Sequence, residues 1–251
     1  GSSERNISLI VNDNEVNKTL RILHTEFFGE KISSTGLFLA GVGNVGTEFL
    51  NILSKIPNST LTLVGILRSN KLLLNQKGIN PKDAIKQLEQ KGDNLDFNKL
   101  FKIGNLFDNK IFIDCTPSQS LSNLYPKIFK SGFSIVTANK KANTMDIEFY
   151  QQIHSIVKNN PINFYYETNV GAGLPVISTI KSLLASGDKI HKIEGVLSGT
   201  LSYLFNSFNG EIPFSELVIK AKNNGYTEPD PREDLNGMDV ARKLLILARE
   251  L

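Results

Sequence analysis

The chain has 251 residues, of which 40% are hydrophobic and 21% charged, with a formal net charge of +3 and one cysteine. That length holds one large domain or two modest ones with material for a core, and the balance is ordinary for a globular protein. With no basic block and no apolar run near the length of a span, nucleic acid and membrane are excluded as partners, and the N-terminus lacks the layout of a signal peptide. Lone Cys115 excludes an internal disulfide framework and fits a reducing, cytoplasmic compartment.

Residues 6–11 read as a strand, after which Asn12 or Asp13 caps a helix with Val16, Leu20, Leu23 and Phe27 at helical spacing. A lone strand and helix cannot bury a core, so this piece leans on the next unit or ends a preceding one. His24 lies on that helix with no second ligand nearby and reads as a surface or packed histidine. Gly29 to Thr35 is polar and reads as a linker.

The pattern then changes. Leu37–Ala40 is a short apolar strand, followed by Gly41-Val42-Gly43-Asn44-Val45-Gly46 and a helix carrying Phe49, Leu50, Leu53 and Ile56. This is the strand, glycine turn and helix of a dinucleotide-binding unit. Gly41 permits the tight turn, Gly43 admits a pyrophosphate, and Gly46 lets helix and strand pack closely. The N–H groups at the helix start, from Asn44 and Val45 onward, face the diphosphate.

The second strand, Leu61–Leu67, ends in Arg68 with no acidic residue beside it to hold a ribose 2′-hydroxyl. Arg68 therefore either clasps a 2′-phosphate, favouring NADP over NAD, or points into solvent. Residues 72–109 are the least informative: Pro81 opens a helix through Gln90, and Asp93 to Asn109 looks irregular. Ile111 to Ser118 is a buried strand running into a turn, which puts Thr116 at a strand's carboxyl end, near a cofactor. Cys115 reads as a small core residue, because no histidine or arginine lies close to it in sequence.

A helix from Ser120 to Lys130 and a strand from Ser134 to Val136 lead to Lys140, at another strand end. Alone it is one of two adjacent solvated lysines. A helix from Asp146 to Lys158, a strand from Asn163 to Tyr166 and a glycine-containing turn, Glu167 to Pro175, follow. That turn lacks the Lys-Ser/Thr of a phosphate loop, and Pro175 interrupts it.

Ile190 to Ser198 reads as a strand. Thr200, opening the helix Leu201–Phe208, serves as an ordinary N-cap, as a receiver for a carboxylate, or as both. The helix Pro213–Asn223 then delivers the chain to Gly225.

From Gly225 to Lys243 four carboxylates, Glu228, Asp230, Glu233 and Asp234, crowd a turn stiffened by Pro229 and Pro231. On the helix that follows, Asp239 and Lys243 sit four apart, about 40° from each other around the axis. Met238, Val240, Ala241, Leu244, Leu245, Leu247, Ala248 and Leu251 fill roughly half of its circumference, so it should be buried on most sides. The pair is either a solvated i,i+4 ion pair or a lysine and aspartate held over a cleft.

The string Gly225–Leu247, together with Asp114–Leu121 and Val136–Thr144, resembles homoserine dehydrogenase, above all the dehydrogenase part of bifunctional aspartokinase/homoserine dehydrogenases. The resemblance implies an α/β fold: a Rossmann-type parallel-sheet domain, then an α+β catalytic and dimerisation domain. A short N-terminal strand–helix remnant of a regulatory domain precedes them. The corresponding divisions are residues 1–30 (the end of an ACT-like aspartokinase regulatory domain), a linker at 31–35, the NAD(P)-binding domain at 36–143 and the catalytic domain at 144–251.

The activity implied is interconversion of L-homoserine and L-aspartate 4-semialdehyde with NADP, NAD being the alternative, in threonine and methionine biosynthesis from aspartate. By the same resemblance, Lys243, Lys140 and Asp239 are catalytic, and Glu228, Asp239, Asp234 and Thr200 hold substrate. Gly41, Gly43, Asn44, Val45, Gly46, Arg68, Thr116, Lys140 and Gly225 then line the cofactor. A structural sodium ion falls to Glu167, Val170, Ala172 and Leu174, and the oxygen-only ligand set suits a hard cation. A homodimer or higher homo-oligomer is also implied. The final helix stops at Leu251 without a terminating Gly or Asn. That leads to the expectation of a C-terminally incomplete catalytic domain, with a non-catalytic nucleotide-binding or regulatory fragment as the competing reading.

Overall fold

The computed structural model describes residues 2–3, 6–16, 19–20, 23, 32–56, 60–227 and 230–251; His24, Phe27, Glu228 and Pro229 lie outside them. The strands are β1 (Ser2–Ser3), β2 (Asn6–Ile7), β3 (Ile32–Ala40), β4 (Leu61–Arg68), β5 (Lys71–Leu74), β6 (Asp93–Asn94), β7 (Phe107–Asp114), β8 (Ser134–Thr137) and β9 (Phe164–Tyr165). Val16, Thr19, Leu20 and Leu23 are helical, as expected after Asp13; from Ile32 onward the α-helices are α1 (Asn44–Leu53), α2 (Ala84–Lys91), α3 (Phe97–Gly104), α4 (Gln119–Ser122), α5 (Tyr125–Lys130), α6 (Ile147–Lys158), α7 (Val176–Ala185), α8 (Gly199–Ser207), α9 (Phe214–Asn223), α10 (Pro231–Leu235) and α11 (Met238–Glu250).

Successive side chains of β3 decide the architecture. Leu37 and Leu39 point to one face and Phe38 and Ala40 to the other, and all four are buried. A strand buried on both faces needs a layer on each side, and the chain supplies both. Leu50 and Leu53 of α1 and Ala84 and Leu88 of α2 pack with Leu37, Leu39, Leu63, Ile66 and Ile113. On the opposite face Leu100 and Phe101 of α3 and Tyr125, Ile128 and Phe129 of α5 pack with Phe38, Val64, Phe112 and Ile135. The result is one seven-stranded sheet, ordered β6-β5-β4-β3-β7-β8-β9. The run from β4 through β3, β7 and β8 to β9 is parallel, and β5 and β6 add antiparallel edges. The expected Rossmann-type α/β arrangement is therefore present. Among the described residues, no helix is long and apolar enough to cross a membrane.

Several local expectations are corrected. β3 begins at Ile32, so the part of the expected linker from Ile32 to Thr35 is strand, and residues 29–31 lie outside the described residues: the Thr35 N–H donates to the Thr60 carbonyl, and Thr35 is in register with Leu61 and Asn109. The stretch read as irregular, Asp93 to Asn109, holds β6, α3 and the start of β7. Asp96 caps α3 by accepting from the Asn98 and Lys99 N–H groups, and Leu100, Phe101 and Gly104 form its buried face. The single helix expected from Ser120 to Lys130 is two, α4 and α5.

The strand expected over 190–198 is not formed. That stretch has no regular structure and pairs with none of the described strands, and Val196 is largely exposed. Helix α11 is also less buried than its composition suggests. Only Ile246 and Leu247 are buried, whereas Met238, Leu244, Leu245 and Leu251 are exposed. In the N-terminal piece only Asn6–Ile7 of the expected strand is paired, and Leu9, Ile10 and Leu20 are exposed.

Candidate active site

The carboxyl ends of β4, β3, β7 and β8 carry Arg68, the glycine turn, Thr116 and Lys140 in that spatial order. At about 4.8 Å per strand spacing, the glycine turn lies two spacings, roughly 10 Å, from the end of β8.

A dinucleotide fits the glycine turn. Gly41 has φ +90°, and a Cβ there would lie 2.8 Å from Thr116 Cγ2. At Gly46 a Cβ would meet the Gly41 carbonyl oxygen at 2.0 Å, whereas at Gly43 nothing lies within 4 Å, leaving room for a phosphate. Gly43 is the N-cap of α1 and offers no side-chain acceptor, so Asn44 and Val45, both exposed, head a helix start open to an anion. Arg68 is exposed and loosely paired with Glu89 at 3.8 Å.

Behind this rim sits a buried polar network. Asp114, at the end of β7, is fully buried. One of its carboxylate oxygens accepts from the Thr116 N–H (2.8 Å) and hydroxyl (2.7 Å), the other from the Tyr125 hydroxyl (2.7 Å) and Asn139 Nδ2 (3.2 Å). Asn139 also donates to the Ser118 carbonyl and to Ser122 Oγ, each at 3.0 Å. Burial drives the Asp114 pKa up, and the hydrogen bonds from Thr116, Tyr125 and Asn139 only partly offset it. The network fixes both loops that enter the cleft, because Thr116 belongs to one and Asn139 immediately precedes Lys140 in the other. Cys115 is pushed up to about 11 by burial and by the Asp114 charge, so it is a protonated packing residue at neutral pH.

Lys140 projects from this rim into a cavity of about 510 Å³ lined also by Ser198, Gly199, Thr200, Tyr203, Tyr226, Asp234, Asp239 and Lys243. Asp239 lies between two ammonium groups: Lys243 Nζ is 2.7 Å from Oδ2 and Lys140 Nζ is 3.4 Å from Oδ1. Lys243 also donates to the Leu197 carbonyl at 2.6 Å. Burial works to raise the Asp239 pKa, but the hydrogen bond from Lys243 and the charges of Lys140 and Lys243 outweigh it and hold it below the usual carboxylate range. Asp239 is thus a carboxylate shared by two cations. The alternative of a purely solvated i,i+4 pair fails, since Lys243 keeps only 17% of its side-chain surface exposed.

Two metal-free features shape the opposite wall. Ser198, not Thr200, caps α8 by accepting from the Leu201 N–H, and this frees the Thr200 hydroxyl to donate to the Tyr226 carbonyl at 2.7 Å. Gly225, φ +75°, closes α9 in a left-handed turn in which its N–H donates to the Lys222 carbonyl and the Tyr226 N–H donates to that of Ala221. Gly225 itself does not line the cavity, but it turns Tyr226 into it, stacked edge-on to Tyr203 at 4.8 Å.

The chain thus brings together five of the expected residues, Lys140, Thr200, Asp234, Asp239 and Lys243, and adds Ser198, Gly199, Tyr203 and Tyr226, which the sequence reading missed. The aromatic pair left one trace in the sequence, a tyrosine directly after a helix-ending glycine. A model of "Homoserine dehydrogenase, NAD binding domain" matches residues 41–167, and one of "Homoserine dehydrogenase" matches residues 175–251. The chain belongs to the homoserine dehydrogenase family.

Its relatives include the bifunctional aspartokinase/homoserine dehydrogenase of Haemophilus influenzae, 41% identical over 258 residues covering 100% of this chain and 32% of that protein. The homoserine dehydrogenase of Emericella nidulans is 42% identical over 230 residues, covering 85% of this chain and 62% of that one. The chain therefore spans about a third of the length of that bifunctional relative. Among solved structures, a hyperthermophilic archaeal homoserine dehydrogenase in complex with NADPH superimposes with a TM-score of 0.70 at 21% identity, over 84% of this chain and 68% of that one, a likeness of fold.

The homoserine dehydrogenase turn expected to hold sodium is present as a short 3-10 segment, Glu167–Asn169, followed by Gly171 at φ +82° and Ala172 at φ +52°. Both Glu167 oxygens accept N–H groups at the start of α7, from Ile177 at 2.8 Å and Ser178 at 2.9 Å. The Leu174 carbonyl accepts from the Val176 N–H, while among the described residues the Val170 and Ala172 carbonyls accept no hydrogen bond. A donor set of one carboxylate and backbone oxygens fits a hard monovalent cation. Among the described residues no cluster of three or more His, Cys, Asp and Glu side chains could hold a metal.

Proposed function

We propose that this chain catalyses the NADP-dependent interconversion of L-homoserine and L-aspartate 4-semialdehyde, as part of threonine and methionine biosynthesis from aspartate. The observation that carries the reading is the Lys140–Asp239–Lys243 array, joined across the cleft between the nucleotide sheet and α11. The nicotinamide, when bound, supplies the hydride chemistry. NADP is favoured over NAD because Arg68 ends β4 where an acidic residue would hold an unphosphorylated ribose, and the archaeal enzyme similar in fold is a complex with NADPH.

In this reading Gly41, Gly43, Asn44, Val45, Gly46, Thr116 and Gly225 complete the cofactor site. Two ammonium groups, Lys140 and Lys243, face a cavity whose charge is balanced by Asp234 and Asp239. An ammonium placed beside the substrate oxygen stabilises negative charge developing there, and Lys140 or Lys243 holds or releases its proton. Asp239 pairs with both lysines and, with Asp234 and Glu228, accepts hydrogen bonds from the substrate's amino and hydroxyl groups. Thr200, at the start of α8, receives its carboxylate. The 167–174 turn holds a structural sodium ion.

The first 30 residues represent the end of an aspartokinase regulatory domain. Residues 31–35 lead into the nucleotide-binding part, 36–143, and residues 144–251 form the catalytic part. The protein acts in the cytoplasm as a homodimer or higher homo-oligomer. The test is direct: NADPH binding followed by fluorescence, and homoserine-dependent reduction of NADP on the same sample. Binding with turnover supports the enzyme; binding without turnover favours a nucleotide-binding fragment of a bifunctional protein.

A further inference from the structure

Helix α11 reaches the active site at its first turns and is bolted down at its last. Arg249 Nη1 donates to the Asn143 carbonyl and Nη2 to the Met145 carbonyl, each at 2.7 Å. Those carbonyls lie three and five residues beyond Lys140, in the short 3-10 segment Ala142–Thr144 and just after it. The guanidinium also sits 4.7 Å over the Tyr150 ring, whose hydroxyl donates back to the Arg249 carbonyl at 3.2 Å. Next to it, Glu250 accepts from the Tyr166 hydroxyl at 2.6 Å and pairs with Lys181 at 3.4 Å, with only 5% of its side chain exposed.

One side chain therefore ties the helix that carries Asp239 and Lys243 to the loop that carries Lys140. Six residues of α-helix separate Lys243 from Arg249, about 9 Å along the axis, so Arg249 touches nothing in the cavity. We propose that Arg249 is a positioning residue that sets the spacing of Lys140 against the Asp239–Lys243 pair. This rests on the reading of that cavity as the dehydrogenase site. Two N–H groups of a planar guanidinium grip two different carbonyls, and a lysine ammonium cannot reproduce that fork. The exposed apolar side of α11 makes the clamp matter more, because packing alone fixes only Ile246 and Leu247.

The test uses the full chain with Arg249→Met and Arg249→Lys, and reads lysine acetylation rates residue by residue by peptide mass spectrometry. Loosening the clamp breaks the 3.4 Å Lys140–Asp239 pair and opens the Lys140 ammonium to the reagent. Lys140 is therefore expected to label severalfold faster in the methionine variant and to an intermediate extent in the lysine variant, whereas Lys243, which shares α11 with Asp239, should change less. Exposed Lys86, on α2, should be unchanged. In the active enzyme kcat should fall about tenfold, with the KM for NADP little changed, as expected for misplaced reacting groups.

Labelling of Lys140 equal to that of the parent chain overturns the inference. So does a uniform rise that includes Lys86, which would mean general loosening. If the methionine variant does not fold, the lysine variant alone decides on the same criterion. Absence of turnover in the parent chain would sink the proposed activity, whereas the labelling pattern would still decide the spacing.

Discussion

Tyr125→Phe removes one buried hydroxyl from the floor of the cofactor rim and leaves the ring in place. The ring packs edge-on against Phe129 and Phe164 at 6.2 and 5.9 Å, and phenylalanine keeps those contacts. What is lost is the 2.7 Å hydrogen bond to Asp114 Oδ2, together with the 2.9 Å contact to Thr137 Oγ1. A hydrogen bond to a charged acceptor has a net worth of about 2 kcal/mol. At roughly 3 °C per kcal/mol for a chain of this length, Tm should fall by about 6 °C.

The sign of the pH dependence follows from Asp114. Burial already holds its carboxyl above the usual range, with the hydrogen bonds opposing. A carboxyl raised in the folded state contributes stability below the ordinary carboxylate range, and that stability is lost as pH rises through the raised value. Without the Tyr125 donor the raised value climbs further and the loss grows, so the Tm deficit should grow as pH rises from about 4, the ordinary carboxylate value, to about 8. Thermal unfolding of both proteins across that range is the assay. A deficit independent of pH, or one below about 1 °C, would refute the claim that Tyr125 supports a buried Asp114 carboxylate.

Lys243→Ala should lower turnover by about a hundredfold or more while leaving NADPH affinity nearly unchanged, read by steady-state kinetics and fluorescence titration; equal losses in both would count against its place in the chemistry. Gly46→Ala should abolish NADPH binding, since its Cβ would sit 2.0 Å from a backbone oxygen of the turn, and unimpaired binding would disprove the cradle. His154, lowered to about 4 by burial and then by the charges of Lys181 and Arg249, is neutral when folded. A depressed histidine costs stability as pH falls from its unfolded value, about 6.5, toward 4. His154→Phe should flatten that acid limb in pH-dependent unfolding, and an unchanged slope would place the titration elsewhere.

The glycine turn was legible because its chemistry is local: three glycines at fixed spacing between an apolar strand and a helix. Asp239 and Lys243 were legible as a pair for the same reason, four apart on one helix. Lys140 joins them only because the sheet places the end of β8 opposite α11, a long-range fact that no spacing encodes. Helix α3 was missed although Asp96 with Phe97, Leu100, Phe101 and Gly104 carries both a cap and an amphipathic face. The strand expected over 190–198 misled for the opposite reason, as alternating apolar residues become a strand only beside another strand. Asp114 and Tyr125 gave no signal, since a buried polar network is defined by partners from β7, α5 and the loop after β8.

The cavity wall is unevenly divided. Among the described residues, Lys140 is its one lining residue from before Ser198, and every other falls between Ser198 and Lys243. Under the proposed function, substrate choice is written almost wholly in one contiguous segment, and the glycine turn and Arg68 stand apart from it. Evolution or a protein engineer could retune what is bound by rewriting that segment, and leave the dinucleotide half untouched.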